Sequence, residues 1–543
     1  MKSFEVFNFM DYESTGTNPW HDQVVQAAII QTDKDLNILP DGQHNILVKV
    51  RPDVIPNPIA FLVTKIDVNE LFSKGISEFE LAHKMQSIFK GKGLSATTGY
   101  NSLNFDDVLT RSLLFRNMLD PYEHEWAKGN GRIDIFKLVQ LTYAFYPEIL
   151  NFPRNDLGKI SLKLEDLSKA NGITHLNAHD AMSDVIATIE IAKKIKEVRG
   201  SLWQHFLNLS SKRDVENVVM NSIESQTPIY FTSAFIDREK HSTTIIQPIA
   251  RDTVNKNVVY CVDLSEDPTD LLKMTPEEIS ENQFKKSKDL PEGETVNRLV
   301  KIELNKSPLV TNTNGVFSPE LLNRFQLDLA KVRLNHAKVM ALPNFGDSVL
   351  NAMKQDSKPA FDPYESLYSG GFITNDDKAL RLALTHDPEN GNVLKSTNVY
   401  EYAGQADDPE RQATLMLRAK YNSFHTEILK GNELSALEVT EWLDYLQKRQ
   451  LGQCSEKYQF GINEYRDEYN AIFAEDSPWE LTDKDRDILR KLNNHVEANH
   501  DYVSYLSQKH KPLKSKAQNM VLNDAEKKAF NKTTKNDGLG PSI

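Results

Sequence analysis

The stretch FEVFNFMDYES near the N-terminus constrains the fold more than any other part of the chain. Phe4, Val6, Phe7 and Phe9 give it the apolar density of a buried strand. It closes with Asp11 and Glu13, two carboxylates at i and i+2, which on a strand point to the same face. Placing like charges side by side in an interior is costly unless cations neutralise them. Either the strand stops at Met10 and both acids sit in a solvated turn, or the strand runs on and its end is a cation site.

The surrounding pattern places that strand in a mixed α/β layer. VVQAAIIQT and HNILVKVR read as two further strands, with the turn-rich stretch DKDLNILPDGQ between them, so an antiparallel meander is expected. ISEFELAHKMQSIFKG reads as an amphipathic helix, LSATTGYN as a strand and DDVLTRSLLFRNML as a helix. From His179 to Ile195 the period is helical, with Met182, Val185, Ile186 and Ile189 at i, i+3, i+4 and i+7.

Beyond about residue 201 the pattern changes. TPIYFTSAF, TTIIQPIA, NVVYCVDL and LVKIELNKSPLV predict a β-rich unit of four strands over 201–353. Residues 354–374 are polar and turn-rich and read as a linker. Residues 375–508 are helical in pattern. Eight lysines between Lys509 and Lys535, with few apolar residues, predict a solvated, partly disordered tail over 509–543. That division fits a chain of 543 residues, at roughly 150 residues per domain.

Two later segments bear on the acids. In GYNSLNFDDVLTR, Asp106 and Asp107 open a helix, and either could be a helix cap. In NAHDAMSDVIATIEIAKKI, His179 and Asp184 converge only if His179 lies in the loop before the helix and Asp184 on it, with Asp180 as the cap. Asp11, Glu13, Asp106 and Asp184 with His179 would then bring four carboxylates and one imidazole to a single place. Oxygen-only ligands suit hard cations such as Mg²⁺, and a neutral histidine can take a proton from water. Such a group fits phosphodiester hydrolysis by two metal ions.

Taken in order, the motifs D-Y-E, N-x3-F-D-D and H-D-A-x-x-D resemble those of the exonuclease family with four acidic residues and one histidine (DEDDh), which has an RNase H-like α/β fold. More narrowly, DYESTGT, GYNSLNFDDVLTR, FRNMLDPYEHEW, LEDLSKANGITHLNAHDAMSDVIATI, VDLSEDPTDLL and ELNKSPLV resemble bacterial exonuclease I, a family of single-strand-specific 3′→5′ exodeoxyribonucleases. The likeness is dense over 1–200, moderate through 201–350 and sparse beyond, with LYSGGF as a later echo. It implies an exonuclease domain over 1–200, an SH3-like β-rich domain and a helical C-terminal domain that close around single-stranded DNA. It implies that Asp11, Glu13, Asp106 and Asp184 hold two Mg²⁺ ions, for which Mn²⁺ can substitute, and that His179 is the general base. Asp107 rivals Asp106 as ligand. Glu13, Arg111, Tyr122, Trp126 and Asn177 are the implied substrate contacts. Lys163 stands where the family carries an arginine, and a lysine cannot make the two-pronged phosphate contact of a guanidinium. For Tyr122 and Trp126 the alternative is core packing.

Arg238, Lys240 and Lys306 in the β-rich unit, and Arg418 and Lys420 in the helical unit, are further candidates for the DNA path. The resemblance also implies binding of the acidic C-terminal tail of single-stranded-DNA-binding protein. The expected pathway is DNA repair and recombination, and a monomer is expected. A net charge of −13 weighs only mildly against a nucleic-acid partner, because a groove needs a local basic stripe rather than a basic chain. Two distant cysteines, Cys261 and Cys454, exclude a disulfide framework. No signal peptide or membrane helix is evident, so a cytoplasmic setting is expected. Two other readings stay open. One is a DEDDh ribonuclease trimming RNA 3′ ends, although such enzymes are usually short and lack the extra domains. The other is a non-catalytic single-strand-binding module.

Overall fold

The computed structural model describes residues 2–90, 94–173, 180–285, 298–315, 317–353, 367, 373–385, 394, 397–406, 408–428, 436–454 and 460–509. The first unit is a five-stranded mixed sheet in the order β3-β2-β1-β4-β5, built from β1 (Val6–Ser14), β2 (Val24–Asp33), β3 (Ile38–Leu47), β4 (Ser95–Thr98) and β5 (Gly131–Arg132). β1, β2 and β3 form the expected antiparallel meander, while β4 and β5 run parallel to β1. β1 is central, and Phe7, Phe9 and Met10 are buried on its two faces.

β1 does not end at Met10. It pairs with β2 as far as Ser14, through Asp11 opposite Ala28 and Glu13 opposite Gln26. β3 also starts earlier than the turn-rich sequence suggests, at Ile38, and takes in Pro40 and Gly42. An edge strand tolerates proline because one side of its backbone is not paired.

Four helices matter to the site: α1 (Glu78–Phe89), α2 (Asp106–Arg116), α3 (Glu123–Trp126) and α4 (Ala181–Val198). α4 packs across β1 and β2. Its buried face runs through Ala181, Val185, Thr188, Ile189, Ala192 and Ile195, whereas Ile186 is exposed. The helical period predicts Ile186 inside. Asp180 holds the N-cap position of α4 without capping a backbone N–H, and its carboxylate accepts from the Ser183 hydroxyl at 2.9 Å. Asp106 and Asp107 lie in the first turn of α2, and the capping position belongs to Phe105.

The second unit is a five-stranded antiparallel sheet in the order β10-β6-β7-β8-β9: β6 (Ile229–Thr232), β7 (Thr243–Arg251), β8 (Val258–Asp263), β9 (Val300–Glu303) and β10 (Leu309–Asn312). LVKIELNKSPLV, expected as one strand, forms two, because the NKSP turn breaks it and sends β10 back to pair with β6. Ile229, Ile246, Cys261 and Val310 share a core with Phe7 and Leu138 of the first unit.

The rest is helical among the described residues, from Asn375–Thr385 to Asp483–Lys509. It is sewn to the first unit by two apolar clusters. Phe79 and Phe115 meet Leu415 and Trp442, while Val25 and Phe61 meet Tyr465, Ile488 and Leu492. Between these lies a buried ionic knot. Glu78 accepts from Arg51 at 2.5 Å and from Arg116 at 2.6 Å, Arg51 also grips Asp53 at 2.9 Å, and Tyr445 of the helical unit donates to Asp53 at 3.3 Å. The expected linker lies outside the described residues except for Leu367, Ile373 and Thr374, and so does the lysine-rich tail beyond Lys509. Among the described residues no helix is long and apolar enough to cross a membrane.

Candidate nuclease site

The site forms where β1 outruns β4. The parallel pairing of these strands covers only Val6–Phe9 against Ser95–Thr98, so the last residues of β1 lose their neighbour on that side. α2 fills the gap end-on. Asp106 Oδ1 accepts from the Tyr12 backbone N–H at 3.2 Å, taking the place of a ladder carbonyl. A side-chain acceptor thereby fixes an aspartate beside the D-x-E pair.

α4 closes the group from the other face. Ligand atoms of Asp11, Glu13 and Asp184 all lie within 4.8 Å of one another, and each residue is half-buried. Burial, followed by repulsion from Asp184 and Asp180, pushes the Asp11 carboxyl up to about 8. Burial, followed by Asp11 and Asp184, does the same to Glu13, also to about 8. Burial and Asp11 hold Asp106 well above the ordinary carboxylate range. Carboxylates so crowded are stable as anions only with a cation among them, and the donors are all oxygens, the set that hard divalent ions take. The residues present therefore fit a bound metal.

The adjacent Asp107 has different surroundings. It is buried, receives Arg132 at 3.1 Å, and burial leaves it at about 6 although Arg132 pulls it down. Asp106 thus faces the acids and Asp107 faces a guanidinium, a distinction that two neighbouring aspartates in a sequence do not carry.

A cleft of ≈ 650 Å³ opens beyond Arg132, between the first unit and the β-rich unit. Arg111, Tyr122 and Trp126 line it together with Lys2, Arg132 and Lys212. Trp126 is 64% exposed, so core packing does not explain it. Tyr122 is half-buried against the cluster of the helical unit, with the Arg111 guanidinium 5.4 Å from its ring centre. Arg111 is gripped by Glu125 through Nε at 2.5 Å and an outer nitrogen at 2.9 Å. Glu125 and Arg132 have no signal in the sequence. Both are ordinary charges there, and only the fold turns them towards the same cleft. Lys163 is exposed, immediately before the helix Leu164–Ala170. Asn177 and His179 lie outside the described residues.

Two of the further basic candidates are corrected. Arg418 lies 3.7 Å over the Tyr445 ring, and Lys420 is buried against Glu438 and the Thr397 carbonyl, so both serve the interior of the helical unit rather than a surface. In the β-rich unit, Arg238 donates to the Ile160 carbonyl at 2.7 Å, Lys240 faces Glu266 at 3.7 Å and Lys306 pairs with Glu303 at 2.9 Å.

An acidic cluster at the end of the central strand of a mixed sheet, in a chain that also carries a basic, aromatic cleft, defines a nuclease. Residues 9–192 match the family described as Exonuclease, and residues 210–354 match the Exonuclease I SH3-like domain. The chain is 32% identical over 453 residues to exodeoxyribonuclease I of Haemophilus influenzae, covering 83% of this chain and 91% of that protein. The structure of exonuclease I from Methylocaldum szegediense superposes with a TM-score of 0.80 at 30% identity, covering 91% of this chain and 99% of that one. Escherichia coli exonuclease I in complex with a dA16 oligonucleotide gives 0.79 at 26%, covering 91% of this chain and 100% of that one. The chain belongs to the exodeoxyribonuclease I family.

Proposed function

We propose that this protein hydrolyses single-stranded DNA from the 3′ end, releasing 5′-mononucleotides, with two Mg²⁺ ions held by Asp11, Glu13, Asp106 and Asp184. The observation that carries the reading is the convergence of Asp11, Glu13 and Asp184 within 4.8 Å at a point where burial and mutual repulsion call for a cation. When bound, the ions would supply charge neutralisation at the scissile phosphate and at the attacking and leaving oxygens. Mn²⁺, with the same taste for oxygen, can replace Mg²⁺. The chain's own residues do the rest. His179 is the proposed base that takes the proton of the attacking water. Arg111 offers a fork to backbone phosphate, and Lys163 and Asn177 contact the terminal nucleotide. Trp126 and Tyr122 stack bases, which is indifferent to sequence and open only to unpaired strands. The exposure of Trp126 on the cleft supports that role.

The partner and substrate also find support among the relatives. Solved structures similar to this chain include a zinc-bound complex of the E. coli enzyme with single-stranded DNA and a structure of SSB/exonuclease I in complex with an inhibitor. The proposal accordingly extends to the acidic tail of single-stranded-DNA-binding protein as partner and to repair and recombination as setting.

The test is digestion of 5′-labelled and 3′-labelled single strands with Mg²⁺ and with chelator, alongside duplex DNA and a matched RNA. Mononucleotides should leave the 3′ end of the DNA single strand only with metal present. Release from the 5′ end, equal digestion of duplex, or full activity in chelator would overturn the assignment.

A further inference from the structure

The cleft between the first unit and the β-rich unit already holds an anion of the protein's own. Glu125 accepts two nitrogens of Arg111, at 2.5 and 2.9 Å, and its Oε2 lies 3.4 Å from Nε of Arg132. Arg132 in turn reaches Asp107 at 3.1 Å and the Asn305 carbonyl of the β-rich unit at 2.8 Å. Burial alone would raise the Glu125 carboxyl, but Arg132 and Arg111 outweigh it and hold it ionised. Two guanidiniums converging on one carboxylate is the geometry with which arginines also take a backbone phosphate.

Position separates this group from a structural ion pair. The knot around Glu78 uses the same chemistry, but its side chains are 0–3% exposed and none of them lines the cleft. Arg111, Glu125 and Arg132 all form the cleft wall, with side chains 9–13% exposed. Glu125 immediately precedes Trp126, and Arg111 lies against the Tyr122 ring. A base stacked on Trp126 brings its phosphates to the wall that Glu125 occupies. Lys2 and Lys212 on the same cleft give a displaced carboxylate other cations to face.

We propose that Glu125 is a built-in competitor for the DNA backbone: its carboxylate holds the fork of Arg111, with Nε of Arg132 beside it, until a strand phosphate displaces it. The inference rests on the single-strand nuclease reading and adds a specificity-determining residue to it. A long strand, anchored by stacked bases and several phosphates, can displace the carboxylate. A lone mononucleotide, with one phosphate and no neighbours, competes poorly, so the reaction product does not block the cleft.

The test compares the full-length wild type with Glu125→Gln in chelator, where the strand stays intact, using a dT16 oligonucleotide and thymidine 5′-monophosphate as probes. The variant should bind dT16 about tenfold more tightly at low salt. Its plot of log affinity against log salt should steepen by about 0.7 for each guanidinium newly available to phosphate. The monophosphate should become a stronger inhibitor of digestion in Mg²⁺. Adding Arg111→Ala makes the sign decisive: competition requires that losing Arg111 weakens dT16 binding more in the Glu125→Gln background than in the wild type. A smaller or equal loss there, or unchanged affinity and slope in Glu125→Gln alone, makes Glu125 a strut and overturns the inference. If Glu125→Gln fails to fold, a crystal structure of the wild type with a phosphorothioate strand decides. The inference stands if phosphate sits on Arg111 and Glu125 has left it, and falls if the Arg111–Glu125 pair is intact. Wild-type protein that neither binds nor digests dT16 refutes the nuclease reading itself, a result distinct from either outcome for Glu125.

Discussion

The crowding of Asp11, Glu13 and Asp184 implies that the metal-free protein is strained by its own site, and Asp11→Asn should expose that strain. At 4.8 Å and an effective dielectric of about 20, each like-charged pair repels by about 3.5 kcal/mol, and the substitution removes two such pairs. The protein escapes part of that cost by binding a proton. With the Asp11 carboxyl at about 8 in the fold and 3.8 in the unfolded chain, protonation at pH 7 costs about 4 kcal/mol, which caps the penalty. Asp11 and Glu13 are half-buried, and solvent screening reduces the working figure to about 2 kcal/mol. For a unit the size of residues 9–192 that is a rise in Tm of roughly 4–8 °C for the variant in chelator. The sign with pH comes from the folded carboxyl lying above the unfolded one. Metal-free wild type is unaffected below pH 3.8 and loses stability as pH climbs towards 8, and Asp11→Asn loses less over that window. Adding Mg²⁺ should raise the wild-type Tm and leave the variant nearly unmoved, while hydrolysis by the variant disappears. Differential scanning calorimetry in EDTA and in Mg²⁺, with a labelled-strand digestion in parallel, reads all of this. A variant that melts at or below the wild type in EDTA, or one that still cuts, refutes the reasoning.

Three further outcomes are expected. Asp106→Asn should reduce hydrolysis by at least 10²-fold, while Asp107→Asn should keep most of the activity and lower Tm, because Asp106 faces the acids and Asp107 faces Arg132; equal loss of activity in both would contradict that division. Trp126→Ala should weaken single-strand binding by ~1–3 kcal/mol per lost stack with no change in Tm, and a drop in Tm without loss of affinity would mean that the indole packs rather than stacks. Burial would raise Glu78, but Arg116 and Arg51 hold it at about 2 against an ordinary 4.5, so its stabilisation is complete above pH 4.5 and drains away as pH falls towards 2; the gain is about 3 kcal/mol, and Glu78→Gln should flatten that part of the acid-unfolding curve measured by circular dichroism.

How much of this was legible in the chain depends on whether the signal is local. The first strand, the helix opening at Asp106 and the helix carrying Asp184 are each written in a few consecutive residues, whereas the run of that strand on through Asp11 and Glu13 was left open by the sequence. The ordered acidic motifs carried the family resemblance for the same reason. Less was legible where a local pattern had two outcomes. Ile186 looked inward because a helical stripe is broad, yet it lies at the exposed edge of that stripe while Val185 and Ile189 are buried. LVKIELNKSPLV looked like one strand because its turn is short. Arg418 and Lys420 looked like surface charges because burial of a cation depends on partners far away in sequence.

The sequence by itself determined the α/β order of the first unit, the β-rich and helical character of the two later units, and which acids are the candidate ligands, with Asp106 and Asp107 left as rivals. Tertiary structure alone decided that β1 outruns β4 so that Asp106 can cap Tyr12, that Asp107 is given to Arg132, and that Glu125 fills the fork of Arg111. The physical reason is range. Periodicity and turn chemistry act over a few residues, whereas a charge takes its partner from whatever the packed elements bring within a few ångströms, and no local pattern records that choice.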